Sequence, residues 1–159
     1  MARRSHLGIR MKPRIMVPFD FSPTADAALA WAADLQATTG GPALEIVHAI
    51  DARPIGTPAL PVSPLLPNED ETARLEQLMR GAAARHQAEA NVHVIVQTSD
   101  VPRIVTDAAH ELHADVIAMG THGLTGIRRL WLGSVAEDVV RHAPCPVVTV
   151  RARPEGAAA

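Results

Sequence analysis

Tyrosine is absent from the chain, aromatic residues make up only 3% of it, and lysine occurs once, at Lys12. A stacking platform for single-stranded nucleic acid is hard to build from so few rings. The net charge of −2, with only a short arginine cluster at the N-terminus, argues against a generic nucleic-acid binder. The remote lysine also excludes a Walker loop, since no G-x-x-x-x-G-K-[ST] pattern is found. A lone cysteine, Cys145, cannot form an internal disulfide, and its place between Pro144 and Pro146 ahead of an apolar run points to a structural role. No apolar run approaches the length needed to cross a bilayer. The basic start, MARRSHLGIRMKP, has neither the apolar core nor the cleavage site of a signal peptide, so the expected compartment is the cytoplasm.

What is present is a chain of 159 residues, 47% of them hydrophobic, enough for one well-buried domain. Its expected organisation is a flexible basic tail over 1–13, a domain over 14–151 and a flexible tail over 152–159, with Met11 a second candidate start. The run Ile15 to Phe19 reads as a strand, and Ser22-Pro23 suits the Ncap and N1 positions of a helix stopped by Gly40-Gly41-Pro42. Ala43 to Ile50 reads as a second buried strand. Prolines at 54, 58, 61, 64 and 67 predict a mobile loop from Ala52 to Asn68, flanking the site. Glu69 to Ala90 reads as a helix with Leu75, Leu78 and Met79 on one face, and the alternation of Val92, Val94 and Val96 as a third strand. A helix opened by Pro102 and running to about His113, a strand from Ala114 to Met119, a helix from Ser134 to His142 and a strand from Pro146 to Val150 complete the pattern.

Strands alternating with helices imply an α/β fold: a three-layer, doubly wound, five-stranded parallel sheet, Rossmann-like, with order 3-2-1-4-5. That order sets the carboxyl ends of the first and fourth strands side by side, where ligands bind. Asp20 and Gly120 mark those ends. The stretch Gly120 to Val140, GTHGLTGIRRLWLGSVAEDVV, then places Gly120, Gly123, Gly126 and Gly133 between a strand and a helix. Glycine tolerates close backbone approach and φ > 0. A helix start offers unpaired N–H groups and the positive end of its dipole, so the stretch has the parts of a phosphate cradle. The plainer reading is that Gly120 and Gly123 turn the chain and that Ser134 and Glu137 form a capping box.

The full spacing, G-2x-G-9x-G-S, resembles the ATP-binding branch of the universal stress protein family. Val116 to Gly123 is similar to that family's penultimate strand and glycine turn, Arg141 to Val150 to its final turn and strand, and Ile15 to Ser22, IMVPFDFS, to its first strand. The resemblance spans roughly Arg14 to Arg151. It implies that Gly120, Gly123, Gly133, Ser134 and Val135 hold phosphates, and that Pro18, Phe19, Asp20 and the backbone near Ala49 line an adenosine pocket. Met119 and His122, on either side of Gly120-Thr121, join these candidates. The family often carries a larger aliphatic residue where Ala49 stands, so adenine would pack more loosely.

For Asp20 two readings stand side by side: an acceptor for a ribose hydroxyl or exocyclic amine, or an Asx-type cap closing Phe21-Ser22-Pro23 onto the helix. Arg128 and Arg129 could reach a γ-phosphate, although exposed loop arginines are usually solvated. His122 is of a residue type that can titrate near neutrality, but it has no evident acid or nucleophile partner and so reads as a loop residue. Glu137 would bring negative charge towards the phosphates, which a divalent cation such as Mg²⁺, held mainly by the phosphates, would screen. No complete hydrolytic apparatus is apparent, so binding without fast turnover is expected. The resemblance implies an ATP-responsive regulatory protein of stress physiology, acting on a protein partner the sequence does not name and dimerising through its last strand. The alternatives are a slow ATPase and a nucleotide-independent interaction module.

Overall fold

The computed structural model describes residues 12–57, 60–62, 66–121 and 132–152, with backbone alone at 55–57 and 60–62. Strands β1 (Ile15–Pro18), β2 (Leu44–Asp51), β5 (Ala90–Gln97), β6 (Val116–Gly120) and β7 (Val147–Val150) form one parallel sheet in the order β5-β2-β1-β6-β7. Numbering only these five along the chain, the order is 3-2-1-4-5, as the element pattern predicts. The intervening helices are α1 (Pro23–Thr39), α2 (Glu69–Arg85), α3 (Val101–Glu111) and α4 (Ser134–His142).

Alternation along the strands decides which helix covers which face. Ile15 and Val17 point to one side with Leu44, Ile46, Val116 and Ala118, where Leu29 and Ala32 of α1 and Met79 and Ala82 of α2 bury them. Met16, Val47, Ile117 and Met119 point to the other, against Val105 and Ala108 of α3 and Ala136 and Val139 of α4. Each central strand is therefore apolar on both faces, the signature of a sheet sandwiched between helices.

The helix boundaries follow from local chemistry. Ser22 caps α1 by accepting from the Ala25 N–H at 3.2 Å, with Pro23 in the first turn. Gly40 ends it in the left-handed region, φ 58°, where a Cβ would be strained. Asn68 and Glu71 close a reciprocal capping box on α2. Near the end of α1, Gln36 is buried and donates from Nε2 to the carbonyls of Pro42 and Glu89, both at 2.9 Å. One amide thus ties the turns that lead into β2 and β5. At the other end Asp26 accepts from Arg85 of α2 at 2.9 Å, while His86 Nε2 approaches it at 3.2 Å without hydrogen-bond alignment.

Four expectations are corrected. Ala52 to Asn68 is not wholly loop, because β3 (Ile55–Thr57) and β4 (Leu60–Val62) pair antiparallel within it. A two-stranded ribbon is all edge, so Pro61 sits there without interrupting a ladder on both sides. Helix α2 stops at Arg85 rather than near Ala90, with Gln87 at φ 55° reversing the chain so that Ala90 starts β5. Of the three residues assigned to its buried face, Met79 is fully buried but Leu78 is 50% exposed, and Ala82 and Ala83 take its place. Helix α3 starts one residue before Pro102, capped by Asp100, and ends at Glu111 with His113 at φ 52°. The expected tails and Met11 lie outside the described residues, apart from positions 12, 13 and 152.

Replacing Gln36 with Ala removes two buried hydrogen bonds, and should cost about 2 kcal/mol in denaturant unfolding. An unchanged midpoint would mean that the two carbonyls find other donors.

Candidate functional site

The carboxyl ends of β1 and β6 lie next to each other, and the chain leaves them towards opposite faces of the sheet. A cleft of about 320 Å³ opens there, within the range of small-ligand sites. Pro18, Phe19 and Asp20 line it from β1, Ala49 from β2, Met119 and Gly120 from β6, and Gly133, Ser134 and Val135 from the start of α4. Nine of the sequence-derived candidates thus share one cavity. The other three, His122, Gly123 and Arg128, lie outside the described residues, as do Gly126 and Arg129.

On the β1 side, the Phe19 N–H donates to the Val47 carbonyl at 2.8 Å, which continues the sheet past the end of β1. Asp20 Oδ1 then accepts from the Ser22 N–H at 3.0 Å. The Asx-type turn is therefore present, and it holds the carboxylate at the cleft wall. Phe21 between them has φ 63°, a conformation that a bulky side chain rarely adopts.

On the β6 side, Gly120 behaves differently from a loop donor at positive φ. Among the described residues only Gly40 is a glycine at positive φ. A Cβ on Gly120 would lie 2.6 Å from Thr24 Oγ1 and 2.8 Å from the Thr24 backbone carbon. Glycine is required there because the first turn of α1 rests on the strand end. Thr121, buried behind it, donates its N–H to Val150 at 3.0 Å and accepts from the Gly133 N–H at 2.7 Å.

That last bond changes the inventory of anion donors. The Gly133 N–H is already committed, and the Glu137 N–H starts the helix by donating to the Gly133 carbonyl at 2.9 Å. The N–H groups of Ser134, Val135 and Ala136 between them have no intrahelical partner. Gly133 is the N-cap, with φ −72° and ψ 156° and no side-chain cap bond. The expected capping box, with Ser134 at Ncap, is thus corrected by one position. Glu137 does not reach back over the helix start but pairs with Arg141 at 3.0 Å.

The starts of α1 and α3 also border the cleft, through Ser22 and Ala25 and through Val101 and Val105. Residues from the first turns of three helices therefore border it, and the first turn is where a helix carries its positive dipole end. Apart from Asp20, Ser22, His48 and Thr121, the remaining walls are apolar and suit a flat ring, while the α4 start suits an anion, so the cavity fits a ligand with both parts. Among the described residues no group of three or more His, Cys, Asp or Glu could hold a metal. Burial pushes the Cys145 thiol up, with the Asp115 charge adding to it, which keeps it protonated and unreactive.

Several wall residues escape a sequence reading. Val101 and Val105 are spaced i, i+4 after a cap at Asp100, a signal that a face of α3 is apolar but not what it faces. His48, next to Ala49, carries no local motif. Its Nδ1 lies 2.7 Å from the Phe19 carbonyl.

The universal stress protein family model matches residues 11–151. The structure is similar to that of the universal stress protein UspA from Lactobacillus plantarum, with TM-score 0.67 and 26% identity over 87% of this chain and 97% of that one. It is also similar to a universal stress protein from Archaeoglobus fulgidus solved in complex with dAMP, with TM-score 0.63 and 27% identity over 88% and 98%. A curated protein of Staphylococcus aureus (strain USA300), provisionally named a universal stress protein, is 56% identical over 43 residues, covering 27% of this chain and 26% of that protein's length. Among the described residues no helix is long and apolar enough to cross a membrane.

Gly120→Ala drives a methyl group into the backbone of α1, which cannot move aside as a side-chain tip would. The substitution should destabilise the fold by about 2–3 kcal/mol in thermal or denaturant unfolding. A loss below about 0.5 kcal/mol, the size of an ordinary surface change, would show that α1 is not clamped on the strand end.

Proposed function

The chain belongs to the universal stress protein family, and from that premise we propose that it is an ATP-binding regulatory protein of the stress response, acting in the cytoplasm, whose nucleotide occupancy alters an interface with a protein partner. The observation that carries this reading is the junction of a largely apolar slot at the ends of β1, β2 and β6 with the start of α4, whose first N–H groups have no intrahelical partner. The dAMP-bound relative from Archaeoglobus fulgidus supports an adenine nucleotide as the ligand class.

In this reading Pro18, Phe19, Ala49 and Met119 enclose the adenosine. Asp20, already fixed through Oδ1, presents a carboxylate to a ribose hydroxyl or to the exocyclic amine of adenine. The main-chain N–H groups of Ser134, Val135 and Ala136 receive phosphate oxygens, with the Ser134 hydroxyl as a further donor and Gly133 leaving the approach open. His122, Gly123 and Arg128, which lie outside the described residues, are assigned to the phosphate side from the sequence alone. A divalent cation such as Mg²⁺ is held mainly by the phosphates. Nucleotide binding without rapid hydrolysis is part of the same reading.

Calorimetry with ATP and GTP tests the pocket: ATP should bind more tightly, and equal affinities would count against it. Gly133→Asp gives the sharper outcome. Its backbone, at φ −72°, accepts any residue, and aspartate is a better N-cap than glycine, so the fold should be unchanged or stabilised by a few tenths of a kcal/mol. The carboxylate would meanwhile sit where phosphate oxygens belong, and ATP binding should be abolished. Ser134→Ala, which removes no cap, should weaken binding by roughly tenfold at little cost in stability. Wild-type affinity in Gly133→Asp would move the anion site away from α4.

The partner interface includes a second copy of this chain. Strand β7 ends the sheet, with β6 as its one neighbour, and an edge strand offers unpaired N–H and C=O groups to another chain. Antiparallel pairing of the segment Pro146 to Val150 across a twofold axis would make a homodimer. Val148→Pro removes a donor and should release monomers in sedimentation, and a wild-type protein already monomeric at micromolar concentration would overturn the pairing.

A further inference from the structure

We infer that His48 is the positioning residue of the cleft, holding the Phe19-Asp20-Phe21 turn in its ligand-ready shape through one hydrogen bond and one ring contact. The inference rests on the reading of the cleft as an adenine-nucleotide site. Nδ1 of His48 lies 2.7 Å from the Phe19 carbonyl. A carbonyl can only accept, so Nδ1 carries the proton. The same ring meets that of Phe21 at 5.2 Å with a tilt of 59°, and Phe21 meets Phe19 edge-on at 5.1 Å and 72°.

These contacts answer a local difficulty. Phe21 stands at φ 63°, and the left-handed region is costly for an ordinary residue. The strain persists only where surroundings over-determine it. Asp20 supplies one restraint from within the turn, through its bond to the Ser22 N–H. β2 supplies two more: the Val47 carbonyl accepts from the Phe19 N–H, and the His48 side chain grips the turn at the carbonyl before Asp20 and at the ring after it. Without that side chain, Phe21 would be freer to relax towards ordinary backbone angles and to carry the adjacent Asp20 carboxylate with it. His48 also lines the cleft itself, so the restraint acts at the ligand's edge.

The two parts of the role separate by substitution. His48→Asn keeps an N–H donor at the position of Nδ1 but loses the ring. His48→Phe keeps a ring and loses the donor, and His48→Ala loses both. Affinity is read by ATP calorimetry. The turn is read independently by NMR of protein labelled at phenylalanine, because the chain's two phenylalanines are Phe19 and Phe21.

His48→Ala should weaken ATP by about tenfold and shift both ring signals of the ligand-free protein, while His48→Asn recovers affinity to within about threefold of wild type. His48→Phe should bind about as poorly as His48→Ala. Wild-type affinity in His48→Ala or in His48→Phe overturns the inference while leaving the nucleotide site standing. If the wild type binds no adenine nucleotide, that site falls, and the ring signals decide alone: unmoved signals in His48→Ala overturn the positioning role. If His48→Ala does not fold, the affinities of the other two variants decide: His48→Asn binding more tightly than His48→Phe supports the role, and the reverse order overturns it.

Discussion

Helix α1 presses its first turn onto the carboxyl end of β6, closely enough that no side chain fits at Gly120. Much else depends on that contact. It holds the crossover from β1 against the strand on which the glycine stretch begins, so that the two strand ends at the centre of the sheet share one wall. The Ser22 cap and the Asp20 turn sit just upstream on the same segment, and are placed by the same contact. A side chain at 120 would lift α1 and with it the β1 wall of the cleft. The glycine most easily read as a ligand residue is thus first a packing residue.

The division of labour around the cleft follows from backbone chemistry more than from side chains. In the proposed reading its anion end is made of main-chain N–H groups at the start of α4, which keep their direction whatever the side chains do. Its apolar end is made of strand termini whose alternate residues are anchored in the two cores, Val17 on one side and Met16 on the other. Among the described residues that line the cleft there is no lysine or arginine. Such a surface is prearranged, so binding need not first order flexible groups.

The sheet order was legible in the sequence because period, glycine and proline spacing, and the short crossovers all point to the same topology. Nine candidate residues converge for the same reason: Asp20, Gly120 and Gly133 each stand at an element boundary, which is where doubly wound folds place their clefts. What stayed hidden was tertiary. Leu78 fits a helical stripe as well as Met79 does, and only the way α2 lies over the sheet selects between them. Ser134 followed by Glu137 has every local mark of a capping box, yet the Gly133 N–H is drawn to Thr121, twelve residues earlier, and the cap falls one residue sooner. The β3–β4 ribbon was masked by prolines that would forbid a central strand but not an edge. His48 has no signature, since its importance lies in a carbonyl 29 residues away.

Thr121 faces two ways. Its N–H is held by the last residue of the outermost strand and its carbonyl holds the residue that opens α4, at 3.0 and 2.7 Å. The mouth of the cleft and the rim of the sheet are therefore separated by one amino acid and two hydrogen bonds, with no intervening layer of packed side chains. Communication between distant regions of a protein normally needs a chain of bistable contacts. Here the wiring is almost a short circuit: a tilt of α4 would pull on a peptide whose other end is bonded to the last residue of β7, an edge strand.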